Sequence, residues 1–322
     1  MTSNSTLGTC DGLPHIFDQT LWSYFSVSLT LSMVINCSIL AIVGNTVVGC
    51  LIYSTRRLWT KKHILVMNLV FVDLLTATVS IPFYATFLIL FVQGEPPCYL
   101  RTVHIVASNI TFTMTVINLS LISYERFIAV LFPYRYQALL TAPRLVLVAA
   151  ASWLYGCVLA VPALGKVAWP CDYRWQPVSH AANAIVCVHV LSSLVCHGRL
   201  CRIACGHRRP ISPEAAKSVR RLSKGARTSL YIVAAFLVCS LPSCVAQFVP
   251  HHPAVEVDYI VRGCSYLSCG LNWLIYTLRS QEIQTVIAMK AKRRIDTTIQ
   301  PSEVGGRRCA THSTRLGRHT HN

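Results

Sequence analysis

The sequence predicts an all-α membrane protein, a bundle of seven transmembrane helices. Three observations carry this. Residues are 53% hydrophobic and only 13% charged, where a soluble domain has about 25% charged. Seven charge-poor runs are each long enough to cross a hydrocarbon core of about 30 Å, which takes about 20 helical residues. Finally, of the 29 Lys and Arg, all but Arg101, Lys166, Arg174 and Arg262 fall in alternate connections and the C-terminal tail, the pattern of cytoplasmic loops. The same composition excludes intrinsic disorder, and no stretch could form a separate soluble core. A net charge of +17 is accounted for by this topology and by anionic inner-leaflet lipid; it requires no nucleic-acid partner.

In chain order, residues 1–23 form an extracellular tail. They lack the basic start and apolar block of a cleavable signal peptide, and Asn4-Ser5-Thr6 is a glycosylation sequon. The bundle occupies residues 24–278, with spans expected at Tyr24–Tyr53, His63–Val92, Thr102–Phe132, Leu145–Leu164, Ala181–Leu200, Ser229–Val249 and Val257–Leu278. His189 and His197 interrupt the fifth. Residues 292–322 are a basic cytoplasmic tail, expected to be disordered. An odd number of spans places the N-terminus outside and the C-terminus inside a multi-pass plasma-membrane protein. No internal repeat is visible, which disfavours a secondary transporter.

Cys98, before the third span, and Cys171, between the fourth and fifth, both face the oxidising side and could form a disulfide. Cys10 is left unpaired. At the cytoplasmic end of the fifth span, Cys196, Cys201, Cys205 and His207 match no usual zinc spacing, and free or acylated thiols are the favoured reading. One carboxylate lies deep in a span: Asp73 in NLVFVDLL. With Asn45 and Asn272 it could form a hydrated cluster able to hold a monovalent cation, or it could simply be protonated or hydrogen-bonded between helices.

Seven short motifs in order then carry a family resemblance, from Gly44 to about Met289. They are Gly44-Asn45, NLxxxD ending at Asp73, the extracellular Cys98, and SYERFIAVLFPYRY containing Glu125-Arg126-Phe127. Trp153, FLVCSLP at Phe236–Pro242, and NWLIY at Asn272–Tyr276 complete the set. The sequence resembles the rhodopsin-like (class A) G-protein-coupled receptors, and its FTMTVINLSLISYERF and LIYTLRSQEI stretches look like the odorant-receptor branch. The resemblance implies a short amphipathic eighth helix on the membrane surface at 279–291, which the Ile283, Val286, Ile287 stripe beside Glu282 suits.

The resemblance further implies a mechanism. Arg126 would be held by Glu125 at rest and would meet a heterotrimeric G protein when the sixth helix swings outward. Pro242 would kink that helix with Phe236 packed below, and Tyr276 would turn inward. Thr115 and Ser268 would join Asp73, Asn45 and Asn272 around sodium as an allosteric modulator; no other cofactor is expected. The chain departs from the family pattern where Ser240 replaces a tryptophan and Trp273 a proline, and where Arg220, Arg221 and Lys224 stand at the base of the sixth helix without an acidic partner for Arg126.

Ligand class is narrowed by what is missing. Ser108 stands where amine receptors carry an aspartate, so a monoamine would have no counter-ion. The seventh span contains no lysine for a retinal Schiff base. By family position the ligand-binding residues would be His104, Ser108, Phe112, Gln247, Arg262 and Tyr266, a neutral-polar and aromatic lining that suits an extracellular small molecule. Arg262 could meet an anionic ligand or pair with Asp258 along its own helix. The expected function is a chemosensory receptor signalling through G proteins in contact with membrane lipid; the alternative is a transporter or channel with its cation site at Asp73. No nucleophile, base and orienting group occur together in a recognisable motif, so an enzyme is not expected.

Overall fold

A computed structural model describes residues 20–94, 98–168, 175–206, 213–246 and 255–299, and among them every regular element is helical. Asn4, Cys10, Cys171, Gln247 and residues 300–322 lie outside the described residues, as does the side chain of Cys98. Seven long helices follow in order: α1 (Leu21–Ser54), α2 (Lys61–Val92), α3 (Cys98–Leu131), α4 (Ala142–Ala168), α5 (Trp175–Gly206), α6 (Pro213–Ala246) and α7 (Val255–Arg279). A short helix, Pro133–Leu139, lies in the loop after α3. Among the described residues, α1 to α5 contain stretches long and apolar enough to span a membrane, while α6 contributes the shorter apolar run Arg227–Ser243.

Most helices run past their expected spans. Apolarity stops where the membrane does, but a helix continues as long as its residues favour it. Thus α6 begins at Pro213, and PEAAKSVRRLSKGA, rich in Ala, Lys and Arg, carries it toward the apolar half. In α5 the two histidines do not break the helix, because both find hydrogen-bond partners on neighbouring helices. The helix expected at 279–291 is corrected to Gln281–Ile299, designated α8. Arg279 still belongs to α7, and AMKAKRRIDTT contains neither Gly nor Pro to stop α8. The chain divides into two units at this point, the bundle up to Ser280 and the segment beginning at Gln281.

Packing places α3 at the centre, touching α2, α4, α5 and α6, while α1 lies along α7. Lipid drives no hydrophobic association between helices, so close packing and interhelical hydrogen bonds must hold them. Both are present. Met114, Ile117 and Val72 interlock α2 with α3 against Trp153 of α4. The Trp153 indole donates to Asn68 Oδ1 (2.9 Å), and Asn68 Nδ2 donates to Asn118 Oδ1 (2.6 Å). Such bonds contribute roughly 0.6–2 kcal/mol each. The outward faces of α1, α4 and α5 carry Ile39, Val43, Leu147, Leu154, Val188 and Leu191, all exposed, as a lipid-facing surface requires.

Midway along α2, residues Thr76–Ser80 form a π-turn. Thr76 and Thr78 return their hydroxyls to the carbonyls of Val72 and Leu74 (2.9 and 2.7 Å), and Pro82, which has no N–H, follows. The wider turn lets the helix pass the proline without stopping. It also sits between the outermost and middle of the polar layers described next.

Candidate functional site

The bundle interior holds three polar layers. In the outermost, the Ser108 hydroxyl donates to the His104 carbonyl (2.6 Å) one turn back on α3, and pairs with the Tyr266 hydroxyl of α7 (2.8 Å) and with His104 Nδ1 (3.1 Å). Tyr84 of α2 stacks on the His104 ring at 4.7 Å and approaches Tyr266 at 5.6 Å. Its hydroxyl donates to the Tyr259 carbonyl (2.9 Å). His104, Tyr84 and Tyr266 are all buried. Of the six expected ligand residues the structure therefore gathers His104, Ser108 and Tyr266, and adds Tyr84, which sequence reasoning missed. Phe112 sits one turn deeper, its ring 5.5 Å from Phe236 of α6. Arg262 is exposed.

The middle layer centres on Asp73, which is fully buried. Asn272 Nδ2 donates to both carboxylate oxygens (3.2 and 3.0 Å). Asn45 Nδ2 donates to the carbonyls of Ala41 (3.0 Å) and Cys269 (3.2 Å), tying α1 to α7. Thr115 and Ser268 donate to carbonyls of their own helices, at Thr111 and Ser265 (both 2.9 Å). Several buried polar atoms here have no protein partner: Asn45 Oδ1, Asn272 Oδ1, Ser240 Oγ, Trp273 Nε1 and the Tyr276 hydroxyl. A buried polar group left bare costs about 1–3 kcal/mol, so this layer is left with unmet hydrogen-bonding capacity. Trp273, standing where the family has proline, lies flat against Gly44. Only a residue without Cβ leaves room for that indole.

At the C-terminal end of α3, Arg126 Nε pairs with Glu125 Oε2 at 2.8 Å; the carboxylate is buried and the guanidinium 17% exposed. The second carboxylate oxygen accepts from the Tyr136 hydroxyl at 2.5 Å. Tyr136 is carried by the loop helix, and the Lys61 ammonium, 5.3 Å above its ring, bonds to the neighbouring Gln137 carbonyl (3.1 Å) and side chain (2.8 Å). Burial, reinforced by the adjacent Glu125 carboxylate, raises the Tyr136 phenol above its usual value, keeping it a donor. The Tyr276 hydroxyl is buried without a hydrogen bond to Arg126. Phe236 is buried and Pro242 lies inside α6; Phe127 is half-buried beside the ion pair.

Comparison with known proteins identifies the family. The family model described as "7 transmembrane receptor (rhodopsin family)" matches residues 44–276. Octopamine receptor 1 of Lymnaea stagnalis is 31% identical over 153 residues, 46% of this chain and 24% of that protein. The histamine H2 receptor of Rattus norvegicus is 24% identical over 292 residues, covering 81% of this chain and 78% of that receptor. The adenosine receptor A2a of Canis lupus familiaris is 23% identical over 321 residues, 88% and 76% respectively. The chain spans only a quarter to a half of several of its curated relatives.

Proposed function

The chain belongs to the rhodopsin family of seven-transmembrane receptors, and from that premise we propose that it couples an extracellular small-molecule ligand to a heterotrimeric G protein at the cytoplasmic face of the plasma membrane. The observation that carries this is the Arg126–Glu125 ion pair (2.8 Å) with Tyr136 on the far side of the carboxylate. A guanidinium stays charged at any physiological pH and is costly at membrane depth unless paired. Here it is held against α3 by a partner that an incoming protein can displace.

The ligand is a non-amine, odorant-like small molecule. Relatives named for octopamine and histamine bear on this, but among the described residues the hydrogen bonds of Ser108 with His104 and Tyr266, and the stacking of Tyr84 on His104, involve no carboxylate. An ammonium would enter that layer uncompensated, whereas a neutral molecule with one hydrogen-bonding group and an apolar body fits its chemistry. Phe112, Gln247 and Arg262 would complete the lining. Sodium would be held by Asp73, Asn45, Thr115, Ser268 and Asn272; the amide oxygens of Asn45 and Asn272 are buried without a protein partner. A Cys98–Cys171 disulfide and glycan at Asn4 would sit on the outer face.

The test is Arg126→Ala at matched surface expression. Ligand-stimulated nucleotide exchange should fall by at least about 100-fold while surface level is kept, the loss expected of an interaction made only in the signalling complex. Normal exchange by Arg126→Ala would overturn the coupling role.

A further inference from the structure

The base of α6 has no carboxylate between Lys217 and Arg227 to restrain Arg126, yet α6 is gripped from both sides just above that stretch. From α5, His197 is 2% exposed and makes two hydrogen bonds. Its Nδ1 lies 2.9 Å from the Ser193 carbonyl, which can only accept, so Nδ1 carries the proton. The other ring nitrogen of the neutral imidazole then accepts, and the Ser229 hydroxyl of α6 donates to Nε2 at 3.0 Å. This arm continues inward, because the Ser193 hydroxyl donates to Ser120 of α3 (3.0 Å), whose own hydroxyl is shared between the Val116 carbonyl (2.9 Å) and the His189 carbonyl (3.1 Å). From α7, the Arg279 guanidinium lies 4.2 Å from the ring centre of Tyr231, two residues beyond Ser229 on α6. One arm is a buried hydrogen bond and the other a half-exposed cation–π contact, so they fail independently.

We propose that His197, Ser229, Tyr231 and Arg279 are positioning residues that hold the cytoplasmic half of α6 inward at rest, in place of an acidic partner for Arg126. The proposal rests on the receptor reading above for its consequence, but not for its first test. In lipid nanodiscs without ligand or G protein, amide hydrogen exchange of residues 222–236 should quicken about fivefold in Ser229→Ala, the size of one net hydrogen bond. Tyr231→Leu should quicken it about threefold, as expected of a half-exposed cation–π contact. The double variant should approach the product of the two. His197→Phe should add nothing to Ser229→Ala, and Tyr231→Phe, which keeps the ring face, should match the unsubstituted protein. Unchanged exchange in both single variants, or a rise spread over all seven helices, would overturn the proposal. Ligand-independent nucleotide exchange on a purified G protein is then read in the same variants. A rise in parallel supports both readings, whereas quickened α6 exchange without it leaves the clamp standing and sinks the coupling reading.

Discussion

The outer and middle polar layers are about two turns of helix apart and are built on opposite terms. Around Ser108 the hydroxyls and the imidazole satisfy one another across α2, α3 and α7. Around Asp73, Asn272 binds the carboxylate, but amide oxygens, a serine hydroxyl, an indole N–H and a tyrosine hydroxyl are left without protein partners. A satisfied network has one preferred arrangement and resists change. An unsatisfied one needs something added, and can exchange partners as the helices move. The outer layer is thus fixed in one arrangement, and the middle layer is free to rearrange.

Three changes would break or sharpen that contrast, in descending size. Gly44→Ala places a Cβ within the Trp273 ring and should destabilise the bundle by about 1–3 kcal/mol, the usual cost of overpacking. Thermal melting in detergent would show it, and Trp273→Ala, which clears the indole without breaking α7, should recover most of the loss. If Gly44→Ala melts normally, Trp273 is not what sets the α1–α7 approach. Next, agonist affinity should weaken about tenfold as sodium rises, a typical coupling between sites, and Asp73→Asn should abolish the dependence. A sodium effect that survives Asp73→Asn would remove the ion from the middle layer. The smallest change is in the outer layer: Tyr266→Phe deletes one hydrogen bond to Ser108 and should raise the half-effective ligand concentration about fivefold with sodium dependence unaltered. Loss of sodium dependence in Tyr266→Phe would show that the layers are one unit.

How much of this could be read from sequence depends on how far apart in the chain the partners lie. The charge-poor helical spans are legible in composition alone, and Glu125 holding Arg126 needs only adjacency. The Asp73–Asn272 pair joins residues 199 positions apart and was reachable because both are polar groups at similar depth. Tyr84, Tyr136 and the His197–Ser229 bond were not reached. Each depends on the rotation of a helix about its axis, and a tyrosine or serine among apolar neighbours has no charge to give it away. Trp273 was seen as a departure from the family's proline, but its seat on Gly44 depends on the distance between α1 and α7.

The π-turn at Thr76–Ser80 separates the fates of these layers in a further way. It winds one additional residue into α2, which turns everything beyond it by about 100° relative to a regular helix. Were the same residues wound as a regular α-helix, Asp73 would stay in place and a different side chain would take the position Tyr84 now holds against His104. The winding of one turn thus decides which face of α2 meets the outer layer without disturbing the layer beneath it.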